Sequence, residues 1–156
     1  ISKSMKKVLK RDLFTVTFDK CFEEVICACG DVRDETWISE KFVETYTKLY
    51  DMGIAHSVEV WNGKRLVGGL YGLSLGKMFF GESMFSIETN SSKIALIKLC
   101  EYLREKNYYV VDCQVHNSHL ESMGAREIER SEFLKILENQ INKKGKYSKW
   151  DIQDKK

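Results

Sequence analysis

The sequence predicts a mixed α/β domain in which helices flank a partly antiparallel sheet, and three observations predict it. The hydrophobic pattern changes period along the chain, from helical spacing to strand alternation and back. The middle of the chain holds two tight reversals between strand-like runs, at Asn62-Gly63 and at Leu75-Gly76-Lys77. With 156 residues and 43% hydrophobic content, the chain is long enough to bury one good core. No internal repeat or linker divides it, so residues 1–141 read as a single domain and residues 142–156 as a basic, loosely ordered tail.

The elements follow in order. Met5, Val8 and Leu9 lie at helical spacing among lysines, which predicts a short basic helix. Leu13–Phe18 reads as a strand. Phe22, Val25, Ile26 and Cys29 then fall at i, i+3, i+4 and i+7, an amphipathic helix with Gly30 as its stop. A charged loop leads to Trp37. Ser39 can cap a helix reaching about Met52, with Phe42, Tyr46, Leu49 and Tyr50 as its stripe and Gly53 beyond its end. Ser57–Trp61 alternates, Asn62-Gly63 is a hairpin signal, Arg65–Leu73 returns, and Met78–Phe85 follows the second reversal. Thr89, Asn90 and Ser91 offer caps for a well-buried helix from about Ser92 to Lys106. Tyr108–Val115 is rich in β-formers. A short helix around Leu120–Gly124, a minor strand at Glu127-Ile128 and a helix from Ser131 to about Asn142 complete the domain.

Composition narrows the class. The longest apolar runs, such as Tyr108–Val111, fall far short of the roughly 18 residues of a membrane span. The start, Ile1-Ser2-Lys3, lacks an initiator Met and the layout of a secretory signal, so a truncated or processed cytoplasmic chain is expected. Five cysteines, an odd number set mostly in helix or strand patterns, read as reduced, buried thiols. Charge is unevenly spread. The first eleven residues carry five cations and no acid, the last fifteen carry six lysines against two aspartates, and the overall +2 therefore leaves residues 12–141 at −7. A basic margin on an acidic body fits a polyanion gripped at one edge and a cation attracted elsewhere; it equally fits basic ends that aid solubility.

Chemistry concentrates on two strands. Alternation puts Tyr108, Val110, Asp112 and Gln114 on one face of the last predicted strand, which turns polar at its C-terminal end. An acid and an amide there either reach water or need partners, since burying them unpaired costs several kcal/mol. Glu82, set among Phe79, Phe80, Met84 and Phe85, poses the same question from another strand. Together the three make a polar pocket able to orient an amine. Other motifs carry less. His116 and His119 lack the further ligands of a zinc site, Cys27 and Cys29 read as core filling, and Ser83 and Ser86 have no His-acid partners. Gly68-Gly69 and Gly72 mark a bulge or a close backbone approach, not a phosphate loop. No metal and no cofactor are expected.

Five segments together closely resemble the leucyl/phenylalanyl-tRNA–protein transferase family: Thr36-Trp37-Ile38, Gly53–Trp61, Leu66–Gly72, Phe80–Ser86 and Asp112–Val115. The resemblance runs from about Ile1 to Leu137. It implies an acetyltransferase-like fold that takes Leu or Phe, less readily Met, from aminoacyl-tRNA to the N-terminal Lys or Arg of an acceptor protein, marking that protein for N-degron degradation. By matching motif it implies Asp112 and Gln114 as the central catalytic or orienting pair, with Glu82 and Ser86 near the donor end and the acceptor peptide. Trp37, Leu70, Phe79, Leu96, Leu99 and Leu103 match positions around an apolar pocket and the adenosine end, and Lys3, Lys6, Lys7, Lys10 and Arg11 match a tRNA-gripping patch. A soluble monomer that engages no membrane is expected. Two departures stand out: the family's N-terminal domain, rich in aromatic and Pro motifs, is expected to be missing from a chain with no proline, while Leu99 and Leu103 stand where phenylalanines are expected. The competing readings are an acyl-CoA-dependent N-acetyltransferase, whose Gly-rich pyrophosphate loop has no counterpart in Phe85–Ser92, and a non-catalytic tRNA-binding remnant.

Overall fold

Five strands form one sheet in sequence order: β1 (Thr15–Phe18), β2 (Ala55–Asn62), β3 (Arg65–Leu75), β4 (Met78–Ser86) and β5 (Val110–Asp112). The structure is a computed structural model that describes residues 3–10, 13–31, 39–143 and 147–150. β1 to β4 are antiparallel, and β5 joins β4 in parallel, which requires the crossover through helix α4 (Ser91–Glu105). The remaining helices are α1 (Lys3–Lys10), α2 (Phe22–Asp31), α3 (Glu40–Asp51), α5 (Ser118–Ser122) and α6 (Arg130–Gln140). This is the helix-flanked, partly antiparallel α/β sheet that the hydrophobic periods predict.

Local chemistry explains most boundaries. The Ser39 hydroxyl accepts the Phe42 N–H at 3.2 Å and starts α3, and Gly53 takes φ +70° just past its end. Asn62 pairs with Arg65, so the β2–β3 turn is Gly63-Lys64, with the positive φ on the glycine. The turn therefore sits one residue later than the Asn62-Gly63 motif implies. α2 runs through Gly30 to Asp31 instead of stopping at the glycine. The last strand is shorter than predicted because its ends are used otherwise. The Tyr108 N–H closes the end of α4 on the Leu103 carbonyl, and Gln114 adopts φ +62°. Glu127-Ile128 forms no strand, and α6 begins and ends slightly earlier than its pattern implies.

Two apolar clusters hold the fold. One joins β1 to β4 with α4, through residues such as Val16, Val58, Val60, Phe79, Ile94 and Leu99. The other packs α2 and α3 on the sheet, through Phe22, Val25, Ile26, Tyr71 and Phe85. Met5 of α1 is buried in the first cluster, with Val8 and Leu9 packed against it. Two glycines allow close approach. A Cβ on Gly68 would collide with Ser91 at the start of α4, and one on Gly72 would strike the Phe80 carbonyl and the Phe79 ring. Of the cysteines, Cys29 alone is buried, while Cys27 and Cys100 are exposed, which corrects the expectation of buried thiols.

The tail also departs from expectation at Trp150. This residue is 5% exposed, stacks on His56 at 3.8 Å and 5°, and donates its N–H to Asp19 Oδ2 at 2.6 Å. Lys149 lies 4.1 Å from the centre of the Tyr50 ring. A polar, basic composition predicts a loose tail, but among its described residues Trp150 is held by an aromatic slot.

Candidate active site at the parting of two strands

β4 and β5 are paired only as far as Phe80 and Asp112. Beyond these residues the strands part, and the side chains singled out in the sequence gather there. Gln114 bridges the opening, donating Nε2–H to the Gly81 carbonyl at 2.7 Å. Asp112 Oδ1 accepts the Gln114 main-chain N–H at 2.8 Å. The Val115 N–H donates to the Cys113 carbonyl at 2.7 Å, closing a three-residue turn around Gln114. A non-glycine residue at positive φ in such a turn is strained, and strain of this kind is typically held at functional sites. Asp112 and Gln114 thus come together as the alternation pattern implies, but by a turn that the carboxylate holds and not by a continuing strand.

Glu82 reaches the site by a bulge. Tyr71 pairs with Ser83 and Gly72 with Gly81, leaving Glu82 as the extra residue of β4. A bulge re-aims one side chain without disturbing the rest of the ladder, and Gly72, too crowded for any side chain, sits at that register shift. Tyr46 of α3 answers Glu82. Burial first, then the Glu82 charge and a hydrogen bond to it, push the Tyr46 hydroxyl up to about 12, so it remains a donor at neutral pH. The Cys113 thiol is likewise pushed up, by burial and then by Asp112. An unreactive thiol between the two polar residues fits positioning chemistry better than nucleophilic attack.

Glu82, Asp112 and Gln114 line one groove of about 1480 Å³, which runs from the parted strands along α5, residues 124–129 and the start of α6. The remaining sequence-predicted positions lie elsewhere. Leu70, Phe79, Leu96, Leu99 and Leu103 do come together, but inside the core between the sheet and α4, none more than 8% exposed and none lining the groove. Ser86 is exposed at the far end of β4, four residues past Glu82 and so about 13 Å away along a strand. Its hydroxyl donates to the Glu88 carbonyl at 2.8 Å and lies 2.9 Å from Ser91 Oγ. Lys6, Lys7 and Lys10 are exposed on α1. The Lys3 side chain, Arg11 and Trp37 lie outside the described residues. Two contributors escaped the sequence reading, the Gly81 carbonyl and Tyr46. A glycine inside a strand beside a lone carboxylate was a bulge signal for the first; Tyr46 read only as one more member of an apolar stripe.

Among the described residues no group of three or more His, Cys, Asp or Glu is arranged to hold a metal ion, and no helix is long and apolar enough to cross a membrane.

Comparisons with known proteins bear on the family and on the fold. A family model described as leucyl/phenylalanyl-tRNA protein transferase matches residues 1–138. Proteins of that name from Flavobacterium johnsoniae and Legionella pneumophila are 54% and 48% identical to the chain over 89% and 97% of its length, covering 68% and 69% of theirs. Among solved structures, an aminoglycoside acetyltransferase from an uncultured soil metagenomic sample superposes with a TM-score of 0.63 at 14% identity, covering 76% of this chain and 92% of its own. A Trypanosoma brucei acetyltransferase gives 0.56 at 15% identity, covering 75% and 95%. At that identity the shared feature is the acetyltransferase fold alone.

Proposed function

Since the chain belongs to the leucyl/phenylalanyl-tRNA protein transferase family, we propose that it transfers Leu or Phe, and less readily Met, from aminoacyl-tRNA to the N-terminal Lys or Arg of acceptor proteins, marking them for N-degron degradation. The observation that carries this reading is the constellation at the strand opening: a carboxylate that fixes a strained turn, an amide laid across the gap, and a bulged glutamate in the same groove.

The reaction asks for positioning. The acceptor's neutral α-amine attacks the ester carbonyl, an amide forms as the ester C–O bond breaks, and the amine proton ends on the departing ribose oxygen. Holding amine and ester in line supplies much of the rate, and hydrogen-bond donors aimed at the developing oxyanion supply more. Asp112 orients Gln114, Gln114 holds the amine, and Glu82, steadied by Tyr46, receives the cationic acceptor side chain. The donor side chain and the adenosine end are assigned to Trp37, Leu70, Phe79, Leu96, Leu99 and Leu103, with Ser86 near the donor end and the acceptor peptide. Lys3, Lys6, Lys7, Lys10 and Arg11 grip tRNA phosphates. The protein works as a cytoplasmic monomer and needs neither metal nor cofactor.

The test is incubation of the full chain with labelled Leu-tRNA and a peptide beginning with Arg. Transfer to that peptide, and none to one beginning with Glu, is the expected result; tRNA binding without transfer would overturn the assignment. If the α1 cations contact phosphates, replacing Lys6, Lys7 and Lys10 by Ala flattens the salt dependence of tRNA affinity by about one unit of log–log slope per contact.

A further inference from the structure

His56 is fully buried on β2, and both of its ring nitrogens face oxygen. Nδ1 lies 2.7 Å from Asp19 Oδ2, and Nε2 lies 3.1 Å from the Gly53 carbonyl. A carbonyl oxygen can only accept, so Nε2 carries a hydrogen. Asp19 uses both oxygens as acceptors, taking the main-chain N–H of Ser57 at 2.9 Å and that of Trp150 at 2.6 Å, so Nδ1 must donate as well. A neutral imidazole has one hydrogen for its two nitrogens; only the doubly protonated ring matches both partners. The tail is tied to that ring. The Trp150 indole stacks on it at 3.8 Å and 5°, a cation laid on a π face, and the Trp150 N–H shares Asp19 Oδ2 with Nδ1. Gly53, whose carbonyl takes Nε2, also lies under the tail: a Cβ there would strike the main chain of Tyr147 and Ser148.

We propose that the second proton of His56 operates a latch: the segment 147–150 docks while the ring carries that proton and lifts away when the ring loses it. Without the proton, a bare lone pair is set against Asp19 or against the Gly53 carbonyl, in a fully buried place. Lifting the tail admits water to serve the bare nitrogen, and the indole has lost the charge on which it stacked. Neighbouring elements supply no competing proton. Tyr50 of α3, Tyr102 of α4 and Tyr108 stay protonated, burial having pushed each hydroxyl up, that of Tyr102 to about 12. Lys149 sits over Tyr50 at the rim of the slot. Glu59 projects from the other face of β2 and is occupied by the Thr17 and Ser57 hydroxyls. The latch acts on the basic tail, at the end of α3, and is separate from the strand opening.

The experiment follows the full chain by NMR from pH 5 to pH 9. Hydrogen exchange of the Trp150 amide, corrected for its intrinsic pH dependence, reads docking, and nitrogen–proton correlation of the His56 ring reads the proton. Protection of the Trp150 amide is expected to fall by up to about tenfold per pH unit, the slope that one proton imposes, over the interval in which the ring passes from two protonated nitrogens to one. The amides of Val58 and Val60 keep their protection, because the opening is local. In His56→Gln, whose amide donates to Asp19 without titrating, Trp150 protection stays flat over that interval. A slope that survives in this variant belongs to Glu59 or another group and overturns the proposal, as does parent protection that is flat. A docked tail over a ring with one protonated nitrogen overturns it from the parent alone, whether or not the variant folds. So does protection lost at Val58 and Val60 together with Trp150, which would make the opening global.

Discussion

Polar residues interrupt the sheet at two places, and the molecule treats them in opposite ways. Between β1 and β2, Asp19, His56 and Glu59 are enclosed and every acceptor is matched. Asp19 takes the Ser57 and Trp150 N–H groups at 2.9 and 2.6 Å and pairs with His56 Nδ1 at 2.7 Å. Glu59 takes the Thr17 and Ser57 hydroxyls at 2.6 and 2.5 Å. Between β4 and β5, Asp112 and Gln114 use part of their capacity to hold a strained turn and leave the rest facing a groove. A satisfied, buried network rigidifies a fold, whereas a partly used, accessible one has hydrogen bonds left for a substrate. On the proposed function the first region is scaffold and the second is chemistry, though both are built from the same few residue types.

The widest separation between them is expected on removing the open pair. Asp112→Ala and Gln114→Ala should each lower transfer by about 10² to 10⁴, with the melting temperature and tRNA affinity close to the parent's. Because Asp112 acts through the Gln114 turn, the losses overlap, and the double variant should be little worse than the worse single one. Losses that multiply would mean two separate roles. Near-normal transfer by a folded single variant would remove the pair from the reaction.

The enclosed network should answer in stability instead. His56→Ala leaves Asp19 buried without its partner, and Trp150→Ala empties the slot against the imidazole; each should cost about 3–5 kcal/mol in denaturant unfolding. Transfer per folded molecule should stay within a few-fold of the parent. A His56 variant as stable as the parent yet inactive would move that network into the site and erase the distinction.

The sequence disclosed these regions unequally. Ser39, Gly53, Gly63 and Gly76 act on their immediate neighbours, so the cap and the turns were legible, to within a residue at the first hairpin. The polarity of Asp112, Gln114 and Glu82 was visible as a break in apolar strands, but the geometry was not. It depends on a bulge defined by pairing with β3 and on a turn that ends β5 at Asp112, three residues before the predicted end at Val115. The enclosed network was invisible, because its members meet over long separations, 131 residues in the case of Asp19 and Trp150. Nothing local marks a tail tryptophan as a core residue.

A smaller effect tests the apolar layer between the two regions. Leu99 is 1% exposed, so Leu99→Phe has no free space to fill and should cost about 1–3 kcal/mol of stability. If the layer also receives the donor side chain, the added ring takes room from Phe more than from Leu, and the Leu-to-Phe transfer ratio should rise several-fold. A destabilised variant with the parent's ratio would leave Leu99 as scaffold alone.

The smallest expected effect concerns Glu59 and depends on pH. Its carboxyl is fully buried, and that burial raises its pKa above 4.5 more than the Ser57, Thr17, Lys20 and Cys21 hydrogen bonds lower it. The folded chain therefore keeps the Glu59 proton to higher pH than the unfolded chain does. In the interval between those two values the folded state binds more protons, so stability falls as pH rises through it, and below the unfolded value the group has no influence. Glu59→Gln removes this titration, and unfolding midpoints measured from pH 5 to pH 8 should decline less steeply than the parent's. At low pH, where Glu59 is itself protonated, the variant should be about as stable as the parent, because an amide and a carboxylic acid each present one acceptor oxygen and one donor to the Ser57 and Thr17 hydroxyls. Parallel curves for the two proteins would mean that the hydrogen bonds offset burial completely, and that the enclosed network is as indifferent to pH as an apolar core.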